Sequence, residues 1–208
     1  MNRNSEQKVA KRREEILSAA LTVFAEEGYH KAGIAQIARL LGIGHGTFYR
    51  YFANKHAIFL AIVDQVIEDL GQVVAEEDPY SSDSLQDYQN QLFRLGAALV
   101  SVFLADPRLG RILFYESMGA GPEVAAKVDE AMDLIAGYTA MYLLNGVQKG
   151  YLREDLDVEV SARMINAMVF ECARQTLREE DPAEAAWRWT DGLVKMILVG
   201  MAAQPPEG

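Results

Sequence analysis

The sequence of 208 residues predicts an all-α fold, and three observations predict it. Apolar residues recur at spacings of three and four along most of the chain, the period of a helix with one buried face. Alternating β-branched runs bounded by turn residues, which would mark strands, do not occur. The helical stretches are punctuated by glycine stops and by Asn, Asp or Ser at the starts.

The elements follow in order. Ile16, Ala20, Val23 and Phe24 form a first stripe, stopped by Gly28. Ile34, Ile37, Ala38 and Leu41 form a second, very short one ending at Gly42, and Ile34 to Tyr51 reads as two short helices joined by a tight turn. Asn54 caps a longer helix carrying Phe59, Ile62, Val63, Val66 and Leu70, which fades out by Asp78-Pro79. Residues 80 to 84 cap a helix that runs to Asp106-Pro107, and Arg108 to Met118 makes a shorter one ending at Gly119. Pro122-Glu123 opens another through Asn145 or beyond, with Pro in the first turn and a carboxylate at the positive helix end. Asp157 caps the next, through Leu177, and Asp181-Pro182-Ala183-Glu184 has the arrangement of a capping box before the last. This makes about nine helices.

Half of the residues are hydrophobic and the chain is long enough to bury a real core. No apolar run is long enough to span a membrane, and the polar N-terminus lacks a signal core, so a cytoplasmic protein is expected. The single cysteine, Cys172, agrees with a reducing compartment. The net charge of −10 argues against a nucleic-acid partner only as an average. Residues 1 to 57 hold nine Lys or Arg against five Glu, a net of +4, which leaves −14 for the rest. All three histidines, His30, His45 and His56, also lie in this basic head.

Within that head, Ala38 is small where the second helix of the pair must cross the first, and Gly42 supplies the turn. Ile37, Leu41, Ile43 and Phe48 fill the space between them. This is the spacing of a helix-turn-helix, whose second helix lies in the DNA major groove. Residues 12 to 63 resemble the N-terminal DNA-binding domain of the TetR family of transcriptional regulators. The resemblance is carried by Ile16-Leu17, Ala19-Ala20, Phe24, Gly28-Tyr29, Ile37-Ala38, Gly42, Gly46-Thr47, Tyr49, Phe52 and Lys55. It implies a three-helix helix-turn-helix head at 1–54 and a helical-bundle body at 55–208 that binds a small molecule and dimerises. It also implies a homodimer on a palindromic double-stranded operator, released by the effector. Repression is the family's default.

Two departures stand out. Gly33 and Gly44 occupy cap positions where the family commonly has Ser or Thr, so phosphate would be met there by backbone N–H groups alone. His45, at the start of the recognition helix, is expected to reach a base edge, and Thr47 and Arg50 to meet base or backbone. The resemblance places Tyr49 and Lys55 on phosphates. The run Lys11, Arg12 and Arg13 is a candidate arm to neighbouring phosphates or the minor groove. Phe48 and Phe52 are expected in the core.

In the body, the helices near 158–177 and 183–201 are apolar on most of their circumference, which requires a central position or a subunit seam. The resemblance favours a four-helix dimer seam, with Met164, Met168, Trp187, Leu193, Met196 and Ile197 as its candidates. Candidate ligand contacts are the large apolar Phe103, Phe114, Tyr138, Met141 and Phe170, and the embedded polar Glu116, Asn166 and Glu171. For Glu171 the alternative is pairing with Arg174 three residues on. No catalytic constellation, metal set or cofactor motif is found: Cys172 has no histidine in the body to activate it, and Gly119-Ala120-Gly121 lacks the context of a phosphate loop. A non-enzyme is therefore expected, and the rival to a regulator is a helical small-molecule-binding or scaffold protein without DNA binding.

Overall fold

The computed structural model describes residues 3–203, and among them are nine α-helices and no strand. Helix α1 is Arg3–Glu27, α2 Ile34–Leu41, α3 His45–Tyr49 and α4 Lys55–Ala75. Helix α5 is Leu85–Ala105 and α6 Pro107–Arg111, which continues into a π turn, Ile112–Glu116, and a 3₁₀ turn, Ser117–Gly119. The last three are α7 Pro122–Gln148, α8 Val158–Thr176 and α9 Pro182–Met201.

Most boundaries are made by the cap residues expected. Asn54 Oδ1 accepts from the Ala57 amide at 2.8 Å, Ser84 from Asp87, Asp157 from Val160, and Asp181 from both Ala183 and Glu184. Two elements differ. Helix α1 starts a dozen residues before the apolar stripe, because its first half is a solvated helix with no core face to announce it. The segment 108–118 is not one α-helix: its turn widens at Ile112–Glu116, where Ile112 and Leu113 are buried while Glu116 is drawn into bonds described below.

By packing, the chain divides into two compact units: Met1–Ile67 with Pro107–Val128, and Glu68–Asp106 with Asp129–Gly208. The expected boundary between residues 54 and 55 does not coincide with this division. The first unit keeps the start of α4, because Ile58, Phe59, Ile62 and Val63 pack on Ile16, Ala20, Phe24, Ile37 and Phe48. Ile112, Ala120 and Val124 belong to the same core.

In the second unit α5, α8 and α9 pack on one another. A Cβ at Gly96 would sit 2.8 Å from Thr190 Cγ2, so glycine is what allows α5 and α9 to approach this closely. The core of this unit gathers Tyr88, Tyr142, Leu143, Leu152, Ala162, Ile165 and Ile197.

Candidate nucleic-acid interface and ligand cavity

The recognition pair is built by backbone chemistry. Gly42 takes φ +63°, its amide donates to the Arg39 carbonyl at 3.1 Å, and the Ile43 amide reaches the Ala38 carbonyl at 3.0 Å. That paired closure ends α2 and turns the chain in two residues, a conformation in which a side chain at 42 would be strained. Gly44 is extended, with φ −72° and ψ 149°, and caps α3. Its carbonyl accepts from the Thr47 amide at 2.9 Å.

Of the five residues of α3 only Phe48 is buried, and it is fully buried. Phe52 lies beside it with ring centroids 6.0 Å apart, so both are core residues. His45, Gly46, Tyr49 and Arg50 are exposed and Thr47 is half-buried. Gly33 caps α2 in an extended conformation with no side-chain acceptor for the first-turn amides, and the Gln36 side chain accepts from the Gly33 amide at 2.7 Å. The exposed amides at the starts of α2 and α3 remain the groups available to an anion.

Two expectations about basic residues need correction. Lys55 does not point outward: its Nζ donates to the carbonyls of Tyr29 at 2.8 Å, Ala32 at 3.1 Å and His30 at 3.3 Å, and stands 4.6 Å from the Tyr29 ring centre. Its three N–H groups are spent on the loop between α1 and α2, so it acts as a tie for that loop. Residues 11 to 13 are exposed and helical rather than extended. The Arg13 guanidinium lies 5.0 Å over the Phe52 ring, and Arg12 pairs with Glu15 at 2.7 Å.

The second unit encloses a cavity of about 110 Å³. Its walls come from α5 between Tyr88 and Phe103, α8 between Ile165 and Thr176, and α9 between Trp189 and Ile197, with Leu70 and Val74 of α4 and Ile135, Thr139 and Tyr142 of α7. Tyr88 and Phe103 stand fifteen steps apart on α5, about 22 Å along its axis, so the lining of this slot is drawn from most of the helix. None of the lining residues is charged. Burial, helped by the nearby carboxylates of Glu77 and Asp78, pushes the Tyr142 phenol up to about 12. Its hydroxyl donates to the Glu77 carbonyl at 3.1 Å.

Of the ligand candidates, Phe103, Asn166 and Phe170 line this slot, whereas Phe114, Glu116, Tyr138, Met141 and Glu171 do not. Phe114 and Glu116 lie in the first unit. There Glu116 accepts from the Tyr29 amide at 2.8 Å and from Arg111 at 3.1 Å, which makes it a clamp on the loop after α1. Glu171 is exposed and takes both Arg174 nitrogens, at 2.7 and 2.8 Å, and Gln175 at 2.6 Å. The Arg174 guanidinium holds its carboxyl down at about 2. Tyr138 packs on the core of the unit, and Met141 on the same helix is half-buried.

On the outer faces of α8 and α9, Val160, Met164, Trp187, Met196 and Val199 are exposed in the single chain, Val199 at 88%. Trp187 stacks on Phe93 at 5.2 Å. Met168 and Leu193 line a shallow groove with Met196. Ile197 departs from the expected seam: it is 3% exposed and faces the slot, because one step along a helix turns a side chain by about 100° from its neighbour. Sequence reasoning missed Thr139, Thr176 and Trp189 in the slot. A Trp two residues from Trp187 on one helix cannot share its face, which is the signal that separates them.

Comparison with known proteins agrees with this geometry. The family described as "Bacterial regulatory proteins, tetR family" matches residues 16–62. The chain is 29% identical over 153 residues to the fatty acid metabolism regulator protein of Bacillus subtilis, covering 73% of this chain and 76% of that one. It is 27% identical over 190 residues to the HTH-type transcriptional regulator UidR of Escherichia coli, covering 89% and 90%. Among solved structures, the transcriptional regulator FadR from Bacillus subtilis in complex with stearoyl-CoA superposes with a TM-score of 0.70 at 26% identity, over 87% of this chain and 97% of that one. With a helix-turn-helix closed at Gly42, an exposed α3 and these relatives, residues 16–62 match the DNA-binding domain of the TetR family, and over most of its length the chain is similar to DNA-binding transcriptional regulators.

Proposed function

We propose that the chain is a cytoplasmic homodimeric repressor that binds a palindromic operator and is released by a small hydrophobic or amphipathic effector held in the slot of the body. The observation that carries the effector half is the slot itself, apolar and without a charged lining residue. The relative solved with stearoyl-CoA supports an effector with a long apolar part. On this reading the DNA is met by His45, Thr47, Tyr49 and Arg50 and by the amides after Gly33 and Gly44. The dimer forms through the exposed residues of α8 and α9, with Met164, Trp187 and Met196 at its centre. The functional division remains 1–54 for DNA and 55–208 for effector and partner.

Helix α4 supports the coupling between the two activities. It begins at Lys55, the tie on the α1–α2 loop, and its residues Leu70 and Val74 line the slot. An effector that favours one setting of this helix changes the separation of the two α3 helices in the dimer, and the population shifts to a form that no longer matches successive major grooves. Catalysis is no part of the reading: burial pushes the Cys172 thiol up, away from the reactive thiolate. Among the described residues no helix is long and apolar enough to cross a membrane.

The test is fluorescence anisotropy on the DNA upstream of the protein's own gene. Affinity should fall steeply with salt and exceed that for scrambled DNA, as phosphate contacts with base readout require. Binding indifferent to salt or to sequence would overturn the regulator reading in favour of a ligand-binding protein without DNA. An effector with equal affinity for free and DNA-bound protein would overturn the release mechanism, because the coupling is reciprocal.

A further inference from the structure

Three buried polar atoms of the described residues have no hydrogen-bond partner: Asn166 Nδ2, Thr176 Oγ1 and Trp189 Nε1. All three residues line the apolar slot. A buried polar atom without a partner costs about 1–3 kcal/mol, so three on one cavity wall point to a group that enters it.

Their polarity can be read unequally. Thr139 Oγ1 lies 2.8 Å from Asn166 Oδ1 and 3.1 Å from the Ile135 carbonyl, yet its hydroxyl has one proton. If that proton goes to Ile135, the Asn166 amide turns over and presents an acceptor to the slot instead of a donor. Trp189 has no such freedom, because the indole N–H only donates. Thr176, fully buried, can donate or accept. It ends α8, and Trp189 lies in the first half of α9, so both stand in the part of the slot nearer the α8–α9 connection. Asn166 is ten residues earlier on α8, about 15 Å along the axis, and forms a separate station.

Resting on the effector reading above, we propose that the effector brings an uncharged oxygen acceptor, the carbonyl of an ester, thioester, amide or ketone, to Trp189 Nε1 and Thr176 Oγ1. A free carboxylate is excluded from this station. The lining holds no Lys, Arg or His to neutralise it, and an ionised group buried without a partner costs far more than the hydrogen bonds return. The slot, at about 110 Å³, is smaller than a cavity of about 150 Å³ that just holds benzene, so an effector with a longer apolar part must widen it on entry. Methyl octanoate and octanoate are matched probes, since they share one chain and differ in the charge at its end.

Calorimetric titration of the full chain at pH 8 should show methyl octanoate binding at least about tenfold more tightly than octanoate. Thr176→Val and Trp189→Phe should each weaken the ester about 3- to 10-fold. Thr176→Val should also leave the melting temperature of the free protein unchanged or raised, since it removes an unsatisfied hydroxyl; a merely structural threonine would lower it. Octanoate binding as tightly as the ester, or an ester affinity unmoved by both variants, overturns the proposal while the slot stays an effector site. If neither probe binds to protein that still binds DNA, the slot itself is refuted as the effector site, and the proposal falls with it.

Discussion

Replacing Lys55 with Met separates a structural tie from a phosphate contact. Methionine keeps much of the apolar stem but removes the three N–H groups that Lys55 gives to Tyr29, Ala32 and His30. The bonds to Tyr29 and Ala32 are part-buried and count at about 1 kcal/mol each; the exposed one to His30, at 3.3 Å, is discounted. Loss of the cation over the Tyr29 ring adds about 0.5 kcal/mol. The sum is about 2–3 kcal/mol, or roughly 5–10 °C in melting temperature for a chain of this size. Calorimetry or circular dichroism reads the first quantity, and anisotropy across a salt series reads the second. Log affinity against log salt should keep its slope, because no phosphate contact is lost, although affinity itself falls as the head loosens. An unchanged melting temperature with a slope smaller by about 1 would refute the tie and restore Lys55 to phosphate.

His45→Ala should lower the ratio of specific to scrambled DNA affinity about fivefold or more, while Tyr49→Phe weakens all sequences alike with the salt slope intact; a uniform loss from both would make His45 a backbone contact. Met196→Glu, at a residue 54% exposed in the single chain, should turn the dimer into monomers in sedimentation velocity and abolish tight operator binding; an intact dimer would move the seam elsewhere. Burial raises the phenols of Tyr88, Tyr142 and Tyr151 above the ordinary value of 10.0. The folded state therefore holds the proton more tightly, and its contribution is full below pH 10 and lost as pH rises past it. Alkaline unfolding followed by circular dichroism should begin above that pH, and Tyr88→Phe should shift its midpoint upward; an unmoved midpoint would clear Tyr88.

What was legible in the sequence is what short-range chemistry decides. Gly42, the glycine caps at 33 and 44, and the side-chain caps Asn54, Ser84, Asp157 and Asp181 act within a few residues of themselves. The apolar stripe of the head likewise named Phe48 and Phe52 as core. Glu116 was misjudged because its partner, the Tyr29 amide, is 87 residues away, and a carboxylate in an apolar stretch looks the same whether it meets a ligand or the main chain. Lys55 was misjudged for a related reason: carbonyl oxygens leave no mark in a sequence. In the body, which side chains face the slot depends on how each helix is rotated about its axis. The period of α9 therefore names an apolar set without separating Ile197, turned inward, from Met196, turned out.

Helix α3 places one buried side chain, Phe48, in the core, while His45, Gly46 and Tyr49 are exposed and Thr47 is half-buried. Substitutions at the exposed positions 45 and 50 are therefore expected to cost little stability, and those at the half-buried Thr47 somewhat more. Duplicated copies of such a gene can part company in the promoters they watch before they part company in anything else. A designer can exploit the same separation by transplanting a reading triplet onto this head and leaving the scaffold as it is.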